Sequence, residues 1–239
     1  MISLDGAGVR YYFDRHRKVV TPIGARLRRH GLSSWGVRNV SFATTGGDGI
    51  ALIGPSGSGK TTVLRLLAGI YFPDEGSVSI RGRIASLLAV DAGLLSLLTG
   101  RENATLLGVL GGLSYRASRR ARDSIKERSQ LGDAFEHPVL TYSQGMRARL
   151  GLAVAEELDA DILVLDEVHE ALDHEFRGHL EQRARSLIER GGVVVAAGHD
   201  HPMLARFCNR AIWLQGGAVR ADGPFDVVQP AYLAEVEHD

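Results

Sequence analysis

Gly54-Pro55-Ser56-Gly57-Ser58-Gly59-Lys60-Thr61-Thr62 is the stretch that decides the fold of this chain. It fits G-x-x-x-x-G-K-[ST], a loop that cradles phosphate. Ile50-Ala51-Leu52-Ile53 precedes it and reads as a buried strand. Val63 to Ala68 follows and reads as a helix packed on a sheet. Strand, glycine loop and helix, in that order, are the context the pattern requires. Glycines let the backbone curl so that successive N–H groups face one anion. The helix start adds a partial positive charge of about half an elementary unit. In this frame Lys60 reaches the β- and γ-phosphates of a bound nucleotide. Thr61 places its hydroxyl on Mg2+, and Thr62 bonds the α-phosphate. The chain has three lysines, and one of them stands here.

Working outward, the chain has 239 residues, enough for one large domain or one domain with an appended lobe. Lys plus Arg and Asp plus Glu each number 28, so no overall charge points to nucleic acid. The single cysteine, Cys208, rules out an internal disulfide and agrees with a reducing compartment. Met1 to Val9 has neither the basic start nor the apolar core of a signal peptide. Ile84 to Leu98 is leucine-rich but is broken by Asp91, Gly93 and two serines, so it is not expected to span a bilayer. Work at a membrane would need another chain to do the spanning.

Taken in order, Val9 to Phe13 reads as a short strand ending in three aromatics, and Val37 to Ala43 as a second strand. From Arg10 to His30, both included, there are seven Arg or Lys and one acid, Asp14. Such a segment, Arg15 to His30 above all, suits an anionic lipid or a polyanion, or is a solvated basic loop. Ser77 to Ile80 and Ile84 to Leu88 read as short strands. From Thr99 to Glu157 the pattern turns helical. Thr99 and Glu102 form a capping box, Arg116 to Ser129 is strongly charged and helix-prone, and Gly145 to Leu158 places Met146, Leu150, Ala153 and Val154 on one face. This is a helical lobe inserted in an α/β core. The core resumes with Ile162 to Leu165, an amphipathic helix over 175–190, and Val193 to Ala197. Such continuous apolar runs suit a parallel sheet covered on both faces. A hairpin over 211–220 and a closing helix from Pro224 end the chain.

Asp166 and Glu167 end a buried strand, where open α/β sheets bind ligands. Asp166 is expected to hold Mg2+, and Glu167 to orient and deprotonate the attacking water. His199 follows the next core strand and is placed to bond the γ-phosphate. Tyr142-Ser143-Gln144-Gly145-Met146 opens a helix with a serine cap and a glycine in its first turn, a second anion-binding helix start. Its place in the helical lobe, remote from the first loop, points to a phosphate bound by a second copy.

The order of phosphate loop, serine-glycine helix start, Asp-Glu strand, Ala171-Leu172-Asp173 and His199 resembles the nucleotide-binding subunits of ABC transporters, over about residues 35 to 228. The resemblance implies an α/β P-loop NTPase core with a mixed sheet and an inserted helical subdomain. All of 1–239 would form one ATPase domain, with a RecA-like core over about 1–92 and 158–239 and the helical subdomain over about 93–157. It implies a head-to-tail homodimer sandwiching two ATP with Mg2+. Ser143, Gln144 and Gly145 of the signature would act in trans, and Asp173 would be the D-loop acid. Tyr142 to Met146, Gly76 to Arg83 and Leu98 to Asn103 look like the group that exports O-antigen, capsule, galactan and teichoic acid. That implies a peripheral subunit at the cytoplasmic face of the inner membrane, partnered by an integral permease, with a lipid-linked polysaccharide as cargo and no nucleic acid. Export of a drug, lipid or small solute is the alternative, and an ATP-gated clamp on nucleic acid a more distant one. The chain departs from the family in three places. Leu88 to Gly93 holds neither Gln nor Glu where the Q-loop glutamine belongs, with Asp91 nearest in character. Leu172 replaces the glycine usual in this group before the D-loop acid. The adenine-stacking aromatic is assigned to Phe13 by its spacing from Val9, with Tyr11 on the same strand face.

Overall fold

The structure is a computed structural model and describes residues 1–13, 32–88, 93–167 and 172–236. Its centre is a six-stranded sheet in the order β5 (Ile84–Leu87), β6 (Ile162–Asp166), β7 (Val193–Ala197), β3 (Gly49–Ile53), β8 (Arg210–Gln215) and β9 (Ala218–Pro224). The first five strands run parallel and β9 pairs antiparallel with β8. Every residue of β3, β6 and β7 is buried, so each strand is covered on both faces.

The side-chain period of two sorts these strands between two cores. Ala51, Ile53, Leu163, Leu165, Val194 and Ala196 face one way, under helices α5 (Gln144–Glu157), α6 (His174–Glu189) and α7 (Phe225–Val236). Ile50, Leu52, Ile162, Val164, Val193 and Val195 face the other way, onto α1 (Lys60–Leu67). A second, antiparallel sheet covers α1 from outside, in the order β2 (Leu32–Ala43), β1 (Ile2–Phe13), β4 (Glu75–Ile80). The helix that follows the phosphate loop is therefore clamped between two sheets.

β1 and β2 are longer than their sequence pattern predicts, beginning at Ile2 and Leu32 instead of Val9 and Val37. The cause is irregular register: the pairing of β1 with β2 shifts between Leu4, Ala7, Val9 and Arg10. Such bulges erase the strict alternation that marks a strand in sequence.

The helical segment packs around its own core of Ala104, Ile125, Leu131, Phe135, Val139, Leu150 and Val154. The capping box starts α2 (Gly100–Leu110): Thr99 accepts from the Glu102 amide, and the Glu102 carboxylate accepts from the Thr99 amide at 2.8 Å. The helix-prone stretch Arg116 to Ser129 forms two helices, α3 (Tyr115–Arg120) and α4 (Arg122–Ser129), which meet at Ala121. α5 joins the lobe to the main body. Leu150, Ala153 and Val154 face the lobe core, with Met146 packed against it, as its periodicity indicates; Ala148, Leu152 and Ala155 form a second apolar face against the sheet.

Candidate functional site

The loop 54–59 joins the end of β3 to the start of α1. Its curl depends on three glycines in the left-handed region, Gly54 at φ 142°, Gly57 at 79° and Gly59 at 106°. Two are also sterically fixed. A Cβ on Gly54 would lie 2.1 Å from the Leu214 carbonyl oxygen, and one on Gly59 would lie 2.4 Å from Val37 Cγ1. The loop is thus wedged between β8 and β2. Ser58 is buried, its amide donates to the Pro55 carbonyl at 3.1 Å, and its Oγ has no hydrogen-bond partner. Pro55 and Ser56 complete the loop beside it.

Lys60 starts α1 and folds back, its Nζ donating to the carbonyls of Gly54 at 2.7 Å and Pro55 at 3.1 Å. Burial pushes its pKa down, opposed by the charges of Glu167 and Asp166. Asp166, at the end of β6, is buried, and burial pushes its carboxyl up; hydrogen bonding to Thr61 acts against that rise, and Glu167 adds to it. The structure therefore gathers Lys60, Thr61, Asp166 and Glu167 at one end of the parallel sheet. Glu167 has φ 53°, and its amide donates to the Ala197 carbonyl at 3.0 Å, tying the ends of β6 and β7. His199, just past β7, places Nε2 3.4 Å from Glu167 Oε1.

A carboxylate and a hydroxyl side by side suit Mg2+, which keeps several waters and takes its remaining ligands from substrate phosphates. Asp166 and Thr61 are that pair. Among the described residues no cluster of three or more His, Cys, Asp or Glu could hold a metal alone.

Ser143 caps α5, its hydroxyl accepting from the Met146 amide at 3.2 Å, with Gln144 and Gly145 in the first turn. These residues belong to the helical segment, not to the cluster at the sheet end. Asp173 caps α6 by accepting from the Phe176 amide at 3.1 Å. Several sequence expectations lie outside the described residues: the basic segment 15–30, Asp91 with its neighbours 89–92, and Ala171. The side chain of Phe13 does too.

Two further side chains stand near these groups. The Tyr11 hydroxyl lies 2.9 Å from Thr62 Oγ1, a contact spanning 51 positions. His201 stands close enough to Lys60 and His199 for both to lower its pKa, behind burial as the main cause. Neither has a local sequence signal.

The ABC transporter family model matches residues 37–170. The O-antigen export system ATP-binding protein RfbB of Klebsiella pneumoniae is 35% identical over 82% of this chain and 80% of that protein. The protein of the same name from Myxococcus xanthus is 37% identical over 87% of this chain, which spans 48% of its length. The teichoic acids export ATP-binding protein TagH of Bacillus cereus is 34% identical over 87% of this chain, which spans 38% of its length. Among solved structures, a dimeric ATP-binding cassette in a post-hydrolysis state with ADP and Pi superposes with a TM-score of 0.74 at 24% identity. It covers 94% of this chain and 99% of that one. At that identity the likeness speaks for the fold.

Proposed function

The chain belongs to the ABC transporter family as an ATP-binding subunit with ATPase activity, and on that premise we propose that it powers export of a lipid-linked polysaccharide through a separate membrane subunit. The relatives named for O-antigen and teichoic acid export support this cargo. The chain's acids and bases balance, so no overall charge favours nucleic acid. Among the described residues no helix is long and apolar enough to cross a membrane, so the proposed site of action is peripheral, at the cytoplasmic face beside a permease.

The chemistry follows from the cluster at the sheet end. Backbone N–H groups of residues 54–62, aided by the start of α1, bind the phosphates. Lys60 exchanges its two loop carbonyls for β- and γ-phosphate oxygens. Thr61 and Asp166 would hold Mg2+, which when bound would neutralise charge on the β- and γ-phosphates. Glu167 takes a proton from water as its oxygen attacks the γ-phosphorus, and the bond from that phosphorus to the ADP oxygen breaks. His199 fixes the Glu167 carboxylate and reaches the γ-phosphate. Sequence spacing alone assigns adenine stacking to Phe13. In the homodimer, Ser143, Gln144 and Gly145 of the second copy close on the γ-phosphate, with Asp173 at the seam.

The observation that carries the chemistry is the gathering of Thr61 and the buried Asp166 beside a buried Lys60 at the sheet end. The cargo is tested in cells that lack this chain. With wild-type protein restored, polymer reaches the surface. With Glu167→Gln restored, polymer stays lipid-linked inside. Surface polymer in cells with neither protein would refute the assignment.

A further inference from the structure

His199 can serve the γ-phosphate only if the turn that carries it keeps its distance from the phosphate loop. The turn follows β7 and is tight, with the His201 amide donating to the His199 carbonyl at 3.0 Å. Asp200 caps the single turn of helix beyond it by accepting from the Met203 amide at 3.0 Å. The turn is therefore firm in itself, and its place depends on what its side chains meet. The ring of His201 meets Tyr232 of α7 edge-on, with ring centroids 5.6 Å apart. Tyr232 in turn meets Trp213 of β8 edge-on, with centroids 5.4 Å apart. We propose that Tyr232 is a positioning residue for hydrolysis, a spacer that fixes the turn of His199 relative to the phosphate loop.

Both ends of this spacer lead to the site. Trp213 pairs with Ile53 in the parallel ladder of β8 and β3, and Ile53 is the last residue before Gly54. The next carbonyl along β8, that of Leu214, is the one a Cβ on Gly54 would strike. At the other end His201 lies two residues from His199 and within range of the charges of His199 and Lys60. Tyr232, Trp213 and Ile53 are buried in one core on the same face of the sheet. The buried Trp213 Nε1 has no hydrogen-bond partner among the described residues, so contacts of its rings seat the indole. Arg220 covers the indole, with Cζ 4.4 Å from the ring centroid, and pairs with Glu235 of α7. Glu235 and Tyr232 are three apart and share one side of the helix. The closing helix is thus anchored to β8 at two points, and its tyrosine carries that anchorage to the turn of His199. Towards α6 the turn has a weaker hold: Arg177 Nη1 stands 3.9 Å from Asp200 Oδ2, and both side chains are partly exposed.

This rests on the reading of His199 as a γ-phosphate ligand, and the experiment separates the two. Tyr232→Leu keeps apolar bulk and removes the ring; Tyr232→Phe keeps the ring. His201→Leu removes the same contact from its other side and decides the matter should Tyr232→Leu fail to fold. ATP binding to the whole chain is measured without Mg2+. Hydrolysis with Mg2+ is read as release of γ-labelled phosphate, which detects variants of low activity. Each variant is made alone and with His199→Ala. Tyr232→Leu and His201→Leu are each expected to lower kcat by roughly twofold to tenfold, the worth of one ring-edge contact, and to keep the wild-type affinity for ATP. Tyr232→Phe is expected to match wild type. In the His199→Ala background neither leucine variant is expected to lower kcat further. Four results would each overturn the role of Tyr232 while leaving His199 as a ligand: equal loss in both backgrounds, wild-type kcat in either leucine variant, a loss of ATP affinity that matches the loss of kcat, or a loss in Tyr232→Phe as large as in Tyr232→Leu. Hydrolysis at the wild-type rate by His199→Ala would overturn the reading of His199, and the proposal with it.

Discussion

Nε2 of His199 stands 3.4 Å from Oε1 of Glu167, across the ends of two neighbouring parallel strands. Glu167 is one of three non-glycine residues with positive φ among the described residues. A side chain in that region costs on the order of 1 kcal/mol or more. The Glu167 amide is fixed to the Ala197 carbonyl, which keeps the carboxylate at the sheet end beside the histidine. Glu167→Gln is expected to lower the steady-state ATPase rate by roughly a hundredfold or more, the usual contribution of a general base. Binding of ATP should survive, because Lys60, Thr61 and Asp166 are untouched. Size-exclusion chromatography with ATP should then show a persistent dimer. A Gln variant that hydrolyses ATP at the wild-type rate removes Glu167 from the base position.

The phosphate loop makes a sharper prediction, because its glycines differ. Gly59→Ala combines a φ of 106° with a Cβ placed 2.4 Å from Val37 Cγ1 and 3.0 Å from the Gly36 carbonyl oxygen. Gly57→Ala meets nothing within 4 Å, so only its φ of 79° is at stake. Thermal melts of the nucleotide-free chain should rank Gly59→Ala well below Gly57→Ala. The second should lose about 1 kcal/mol, the strain of a left-handed alanine. Equal melting temperatures would mean that β2 yields to the loop without resistance.

Much of this was readable because the decisive elements are local. β3, β6 and β7 are continuous apolar runs, and the glycines, Lys60 and the Asp166-Glu167 pair follow them directly. The strand order was not readable, since β3 pairs with β7 and β8 from the far half of the chain. The break at Ala121 was hidden because alanine fits either side of it. The second face of α5 was missed because Ala148 and Ala155 say little about which way they point. Tyr11 escaped for a related reason: its partner Thr62 is chosen by the packing of one sheet on another, which no short window of residues encodes.

Asp166 gives a prediction in pH. Burial raises its pKa in the folded chain above the unfolded value. The folded state therefore binds this proton more tightly. Its contribution to stability is greatest below the ordinary carboxylate value of about 4 and falls as pH rises through the folded value. Asp166→Asn removes that loss. In EDTA and without nucleotide, the variant should melt higher than wild type at neutral pH, and the gap should close as pH falls towards the ordinary carboxylate value. The same variant should lose Mg2+-dependent hydrolysis. A gap of the same size at every pH would show that burial of the charge is not its cause.

Ser143 has a visible role and a proposed one, and they separate. The visible one is structural: its hydroxyl caps α5 by accepting from the Met146 amide, and Ser143→Ala should cost about 1 kcal/mol of stability. The proposed one is to face the γ-phosphate held by a second copy. Asp caps a helix as well as Ser, and its charge favours the helix start. Ser143→Asp should therefore keep the wild-type melting temperature. Placed against a triphosphate, however, the same carboxylate repels what the serine would bind. Combined with Glu167→Gln, it should still bind ATP in each monomer yet fail to form the ATP-dependent dimer in sedimentation velocity. A stable dimer of that double variant would leave Ser143 as a helix cap alone, and the two-copy arrangement of the nucleotide site would have to be abandoned.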